Sequence, residues 1–191
     1  MVTVGGDAAA VERRLAEGRL VCPGCSGMLS GWGYARSRRL RGPEGVVLAR
    51  PRRARCTGCG VTHVLLPVWW LLRRADAVVV IGAALTARAA GAGFRRIAAQ
   101  LGRPSETVRG WLRRFTGRVE TVRRWFTALL RAMAVDPVMP APAGGAWADA
   151  LVVLDAAVTA AAARFGVLGV PSWEWVSAAS GGRLLAPGWP A

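Results

Sequence analysis

Lysine and asparagine are missing from this chain of 191 residues, and there is one histidine. All 26 basic side chains are therefore arginine. Together with the abundance of Ala, Gly and Val, this reads as GC-rich codon usage, not selection for guanidinium chemistry. The one histidine, His63, lies beside the second cysteine pair, so no Ser/His/Asp set is read. Long apolar runs are also lacking. The longest covers residues 77–87, flanked by Arg73, Arg74 and Arg88, and eleven residues fall short of the roughly 20 that a spanning helix needs. A second apolar stretch, over 151–163, is interrupted by Asp155. No apolar segment follows a basic start at the N-terminus, so the sequence shows no signal peptide. These absences predict no membrane association and a cytoplasmic, nucleoid-associated location, where four cysteines are not expected to form structural disulfides.

Acidic residues are scarce too. The formal charge is +15, and it is unevenly spread. Residues 33–74 carry ten Arg against Glu44, and residues 88–131 carry eleven against Glu106 and Glu120. Residues 136–191 are slightly acidic, with Arg164 and Arg183 against Asp136, Asp149, Asp155 and Glu174. Two basic blocks of this kind suit a polyphosphate partner. The late carboxylates fall in a linker, a helix and a tail, whereas a two-metal nuclease needs three of them on a mixed α/β scaffold. Gly91-Ala92-Gly93 is too short for a phosphate-binding loop. The chain therefore reads as a non-enzyme.

The cysteines form two matched pairs, Cys22-Pro23-Gly24-Cys25 and Cys56-Thr57-Gly58-Cys59, with thirty residues between them. A C-x2-C turn places two thiolates on one side, and two such turns complete a tetrahedral shell for one structural Zn2+. Gly24, Gly58 and Gly60 are expected to supply left-handed turn conformations. Four thiolates leave no open coordination position, which excludes a catalytic metal. His63 is expected to pack nearby. Between the pairs, Gly42-Pro43-Glu44-Gly45 marks a turn joining two Arg-rich extended segments, a β-hairpin.

Residues 94–115 carry the pattern of two short helices. Ile97 and Leu101 line one face, and Ala98 is small enough for close helix crossing. Gly102 suits a left-handed turn, Pro104 can start the next helix, and Val108, Trp111 and Leu112 form its apolar side. With an apolar helix over 76–90 this predicts a helix-turn-helix bundle, whose second helix would enter a major groove. On that reading Arg109 suits guanine, Glu106 could accept from cytosine or orient Arg109, and Ser105 could meet a base or a phosphate. Arg95, Arg96, Arg103, Arg113 and Arg114 are candidate phosphate contacts, and Gly110 would allow close backbone approach. Arg103 is a departure, since an apolar residue is common at that turn. A helix over 117–134, with Val122, Phe126, Leu129, Leu130 and Met133 on one side, could form a homodimer or close the bundle.

The segment Arg52-Arg53-Ala54-Arg55-Cys56-Thr57-Gly58-Cys59-Gly60-Val61-Thr62-His63, with Leu65, Leu66 and Pro67, resembles the second knuckle of zinc ribbons in bacterial transposases. Ile97 to Gly102, then Thr107, Val108, Trp111 and Leu112, resembles their helix-turn-helix. The whole chain, including the tail Gly181 to Pro187, is similar to small actinobacterial proteins associated with insertion elements. The likeness is firmest over about residues 20–115. It implies sequence-specific binding to element ends or to an operator, and a transposase or recombinase as a possible partner.

The expected fold is mainly α. It has an N-terminal helix (1–20), a small β zinc ribbon (21–67), a helix-turn-helix domain (68–135), a Pro-rich linker (136–145), and a C-terminal helix with an irregular tail (146–191). Double-stranded DNA is the expected partner. The alternatives are an adaptor whose ribbon and C-terminal helices bind a recombinase or polymerase, and an RNA-binding ribbon protein using Trp32 and Tyr34 for stacking.

Overall fold

The computed structural model describes residues 1–166 and 169–190. Helix makes up 45% of the chain and strand 18%, so the fold is mixed α/β with helices predominating. The strand content exceeds that of a mainly α protein because the N-terminal third builds two separate β structures.

That third contains β1 (Val2–Val4), α1 (Ala8–Ala16), β2 (Leu29–Tyr34), β3 (Arg38–Arg41), β4 (Val46–Ala49), β5 (Arg52–Cys56) and β6 (Thr62–Pro67). One sheet has the order β1-β6-β5-β2. β2 and β6 flank β5 antiparallel, and β1 adds to β6 in parallel. The opening residues look too short and Gly-flanked to be a strand. They become one because Val2, Thr3 and Val4 find Leu65, Leu66 and Pro67, more than sixty positions away. Asp7 caps α1 by accepting from the Ala9 N–H at 2.9 Å. Val11 and Leu15 then close a small core with Val4, Leu20, Leu29, Ala54 and Leu65.

The hairpin β3–β4 belongs to neither this sheet nor this core. Its turn closes with Gly42 N–H donating to the Gly45 carbonyl at 2.6 Å. Leu40 and Ala49, on the same side of its ladder, pack into the helical core instead.

The helices are α2 (Val78–Ala89), α3 (Phe94–Leu101), α4 (Ser105–Thr116), α5 (Val119–Met133), α6 (Ala146–Phe165) and α7 (Ser172–Ala179). α2 is apolar on nearly every side and sits at the centre, with Val78, Ile81, Ala84 and Leu85 sealed from solvent. α5 buries Val122, Phe126 and Leu130 and packs chiefly against α6, so its apolar stripe closes the bundle within one chain. α6 is twenty residues long and, by length and composition, apolar enough to cross a membrane. This corrects the expectation that Asp155 breaks the run, because Asp155 is exposed on a helix whose opposite side is buried. Ala150, Val153, Leu154, Ala157, Val158 and Ala161 make that buried side.

The C-terminal segment departs from the irregular tail expected. It contains α7, and Leu184, Leu185, Ala186 and Trp189 are buried beyond it. Tryptophans attach it and α6 to the body. Gly82 on α2 leaves room for the Trp173 indole, which a Cβ there would overlap. Trp125 Nε1 donates to Ala179 O at 3.3 Å, and Trp147 Nε1 to Leu85 O at 3.1 Å. Trp125 and Trp147 thus pack their half-buried rings against the core while their N–H groups keep partners.

Candidate metal centre and basic helix face

The two cysteine turns are built alike. Cys22 N–H donates to Gly27 O and Ser26 N–H to Cys22 O; Cys56 N–H donates to Val61 O and Gly60 N–H to Cys56 O. Each turn needs one left-handed residue at the fourth position after its first cysteine. Gly60 fills it at φ 73° and Ser26 at φ 58°. Of the three glycines expected to adopt positive φ, only Gly60 does so; Gly24 and Gly58 do not.

The four sulfurs lie within 4.8 Å of one another. Cys22 and Cys59 Sγ are 3.8 Å apart, and Cys25 and Cys56 Sγ 3.4 Å. A tetrahedron with metal–sulfur bonds of about 2.3 Å has edges of roughly 3.8 Å, so the set fits a single structural metal. Cys22 and Cys56 are buried and Cys25 and Cys59 exposed, which puts the centre at the rim of the sheet.

By themselves the thiols cannot all ionise. The Cys59 N–H pulls Cys56 down to about 6, and the Gly24 N–H lowers Cys22. Although the Val61 N–H pulls the other way, the sulfurs of Cys25 and Cys56 push Cys59 up to about 11. A divalent cation removes that mutual repulsion. His63 is buried, and burial lowers its pKa, so it is neutral. Its Nε2 lies 3.4 Å from Cys22 Sγ and its Nδ1 3.1 Å from the Met1 amine. With the proton on Nε2, it supports a ligand thiolate and is not itself a ligand.

Sequence reasoning missed Gly27. A Cβ there would come within 2.9 Å of Cys56 Sγ and 3.3 Å of Cys25 Sγ, so only glycine lets the two turns approach. Gly27→Ala is expected to weaken metal binding at least about tenfold, the scale set by perturbing a metal's supporting shell. Competition against a chromophoric chelator measures this, and wild-type affinity in that variant would disprove the crowding argument.

The second site is the outer side of α3 and α4. Gly102 ends α3 in the left-handed region at φ 59°, ψ 40°. Ile97, Ala98, Val108, Trp111, Leu112 and Phe115 are buried on the inner side. Arg95, Arg96, Glu106, Arg109, Arg113 and Arg114 are exposed, and Ser105 and Gly110 are half-buried. Arg109 is positioned from two directions. Its Nη1 lies 3.6 Å from Glu106 Oε2, and its guanidinium sits 5.8 Å from the centre of the Phe94 ring, which Arg95 also approaches at 5.7 Å. Gly110 serves Arg114, whose Nη1 donates to Gly110 O at 2.9 Å and would stand 3.0 Å from a Cβ there.

Arg103 is a correction to the expected phosphate contacts. Its Nε donates to Asp76 Oδ1 at 2.7 Å, its Nη2 to Gly42 O at 2.7 Å, and its Nη1 to Leu101 O at 3.1 Å. Its side chain is only 14% exposed. Asp76 also takes Arg41 in a two-bonded pair at 2.9 and 2.7 Å. An arginine where an apolar residue is usual thus ties the turn between α3 and α4 to the hairpin β3–β4.

Compared with known proteins, the chain matches no family model, no curated protein and no solved structure. The functional reading therefore rests on geometry, charge and the likeness of the two motifs.

Trp32 and Tyr34 are about half exposed on β2, and arginines cover their faces. Arg55 lies 5.0 Å over Trp32, and Arg50 and Arg52 lie 5.2 and 4.8 Å over Tyr34. Arg52 also pairs with Glu12 at 2.7 Å. A stacking base would first have to displace these guanidinium groups.

Proposed function

We propose that this chain is a zinc-dependent protein that binds double-stranded DNA. In this reading the cysteine turns and the sheet behind them are a zinc ribbon, and α2, α3 and α4 are a helix-turn-helix bundle that reads the major groove. The observation that carries it is the exposed side of α3 and α4, where five arginines gather and Glu106 is the sole acid. Such a surface neutralises several phosphates at once, and the start of α4 offers side chains to base edges. The slightly acidic C-terminal helices pack chiefly against α5 and α2. The resemblance to insertion-element proteins favours an accessory factor or transcriptional regulator without a catalytic domain. A transposase or recombinase is then a natural partner.

Arg109 is assigned to base readout, with Glu106 and Phe94 holding it. Ser105 sits at the first position of α4, while Arg95, Arg96, Arg113 and Arg114 face phosphates. Selection of bound duplexes from a random pool, followed by anisotropy titration, tests this. The wild-type protein is expected to bind its selected site with a steep loss of affinity as salt rises. Arg109→Ala is expected to cost about 1–3 kcal/mol on that site and much less on random duplex. Equal losses on both would reject base readout by Arg109. Absence of duplex binding in dilute salt would reject the whole reading. An adaptor would show no sequence preference, and an RNA-binding protein would prefer single strands.

A further inference from the structure

We infer that the hairpin β3–β4 is a second DNA-contacting element, fixed beside α4 so that its arginines grip phosphates flanking the site that α4 reads. This rests on the duplex-binding role proposed for α4.

The hairpin lies between the two cysteine pairs in sequence, yet it is mounted on the helical body. Leu40 and Ala49 fill the helical core, and neither strand joins the four-stranded sheet. Arg41 N–H donates to Ala75 O at 2.8 Å, and Ala77 N–H to Arg41 O at 3.0 Å. Asp76, 1% exposed, binds Arg41 and Arg103 together, and Arg103 reaches across to Gly42 O. A buried carboxylate shared by two guanidinium groups fixes relative position, because moving either partner strands a charge. The hairpin turn is thereby held against the residues that lead into α4.

The outward charge fits the same polyanion. Arg36, Arg38 and Arg39 are exposed, Arg39 on the ladder side turned away from the core and Arg38 at the edge of the side that Leu40 and Ala49 occupy, and among the described residues none of them forms an ion pair. Glu44 is the only acid on the hairpin. Arg39 stands three residues before Gly42, about 10 Å along the strand. Gly42 is tied through Arg103 to the turn that leads into α4, and a major groove is about 12 Å wide, so with α4 in the groove Arg39 is assigned to the flanking backbone. Leu48, opposite Arg39 in the ladder and 71% exposed, offers an apolar surface to deoxyribose faces.

The test compares full-length, zinc-loaded wild-type protein with the double variant R38A/R39A and with L48S, all at exposed positions, after matched thermal melts. Anisotropy over a salt series and hydroxyl-radical footprinting on the selected duplex give the readouts. R38A/R39A is expected to bind both selected and random duplex about tenfold more weakly in 0.1 M salt, with the salt slope reduced by about 2. Sugar protection on one flank of the footprint should disappear while the α4 contacts persist, and L48S should thin the same flank. Wild-type affinity, slope and footprint in R38A/R39A would overturn the hairpin assignment, including the case in which the hairpin serves a protein partner. The Arg109→Ala titration separates the two failures, because its sequence-dependent loss survives if only the hairpin assignment is wrong.

Discussion

Cys56→Ser is expected to abolish stoichiometric zinc binding and melt the N-terminal sheet while α2 to α7 stay folded. The reason is how unequally the two cores are filled. The N-terminal core is made of Val4, Val11, Leu15, Leu20, Leu29, Ala54 and Leu65 with the two buried cysteines, and among the described residues it holds no Phe, Tyr or Trp. So small a core needs a staple. The helical core contains Phe115, Phe126, Ile81, Ile97 and Leu85, all sealed from solvent. Among the described residues Leu66, at the far end of β6, is the sheet's member of that core, and α7 also touches β1. Metal analysis of the purified variant, with hydrogen exchange, reads both halves of the result. Amides of β2, β5 and β6 should lose protection and those of α2, α5 and α6 should keep it. Full zinc content would refute the ligand assignment. Simultaneous loss of helical protection would show that the two cores fold as one unit.

Asp76→Ala should be strongly destabilising, on the scale of emptying a core position. Asp76 is 2% exposed at its side chain and neutralises Arg103, which is 14% exposed, and Arg41, which is 38% exposed. Removing one member of a buried pair costs about 3–5 kcal/mol, because the remaining charge stays desolvated. Arg41 can turn partly to water, which puts the expected loss near the lower end, at about 3 kcal/mol. For a chain of this size that is a fall of roughly 6–12 °C in Tm. Asp76→Ala should also free the hairpin, so that the amides of Arg41 and Ala77 exchange faster. Arg41→Ala and Arg103→Ala should each cost less, since Asp76 then keeps one partner. A melting point within a degree or two of wild type would show that the cluster does not pin the hairpin.

Local signals were readable wherever a few neighbouring residues decide the outcome. The spacing of Cys22, Cys25, Cys56 and Cys59 pointed to one cluster, and their sulfurs come together. Ile97, Leu101, Val108, Trp111 and Leu112 have the spacing of inward faces and are buried, except Leu101, which is half-buried against the core; the small Ala98 is buried too, and Gly102 has the left-handed φ expected of it. The turn Gly42-Pro43-Glu44-Gly45 does join two strands. Ser26 escaped notice because its positive φ is imposed by the cysteine turn around it and is not a preference of serine.

Composition and spacing alone determined the cysteine shell, the helix pair with its Gly turn, and the two basic blocks. The helix pair and each cysteine turn depend on residues within a turn or two of one another, the pairing of the two cysteine turns is marked by their identical spacing although thirty residues part them, and the charge needs no partner to exist. Tertiary structure alone decided that β1 is a strand, that the hairpin between the cysteine pairs rides on the helices, and that α7 and Trp189 are buried. It also decided that Arg103 is spent on Asp76. In each of these cases the deciding partner lies far away in the chain: Leu65 for Val2, Asp76 for Arg41, Gly82 for Trp173. An unpaired strand or a solitary arginine carries no local mark of the surface that will cover it, so its fate is settled only when the packed chain supplies that surface.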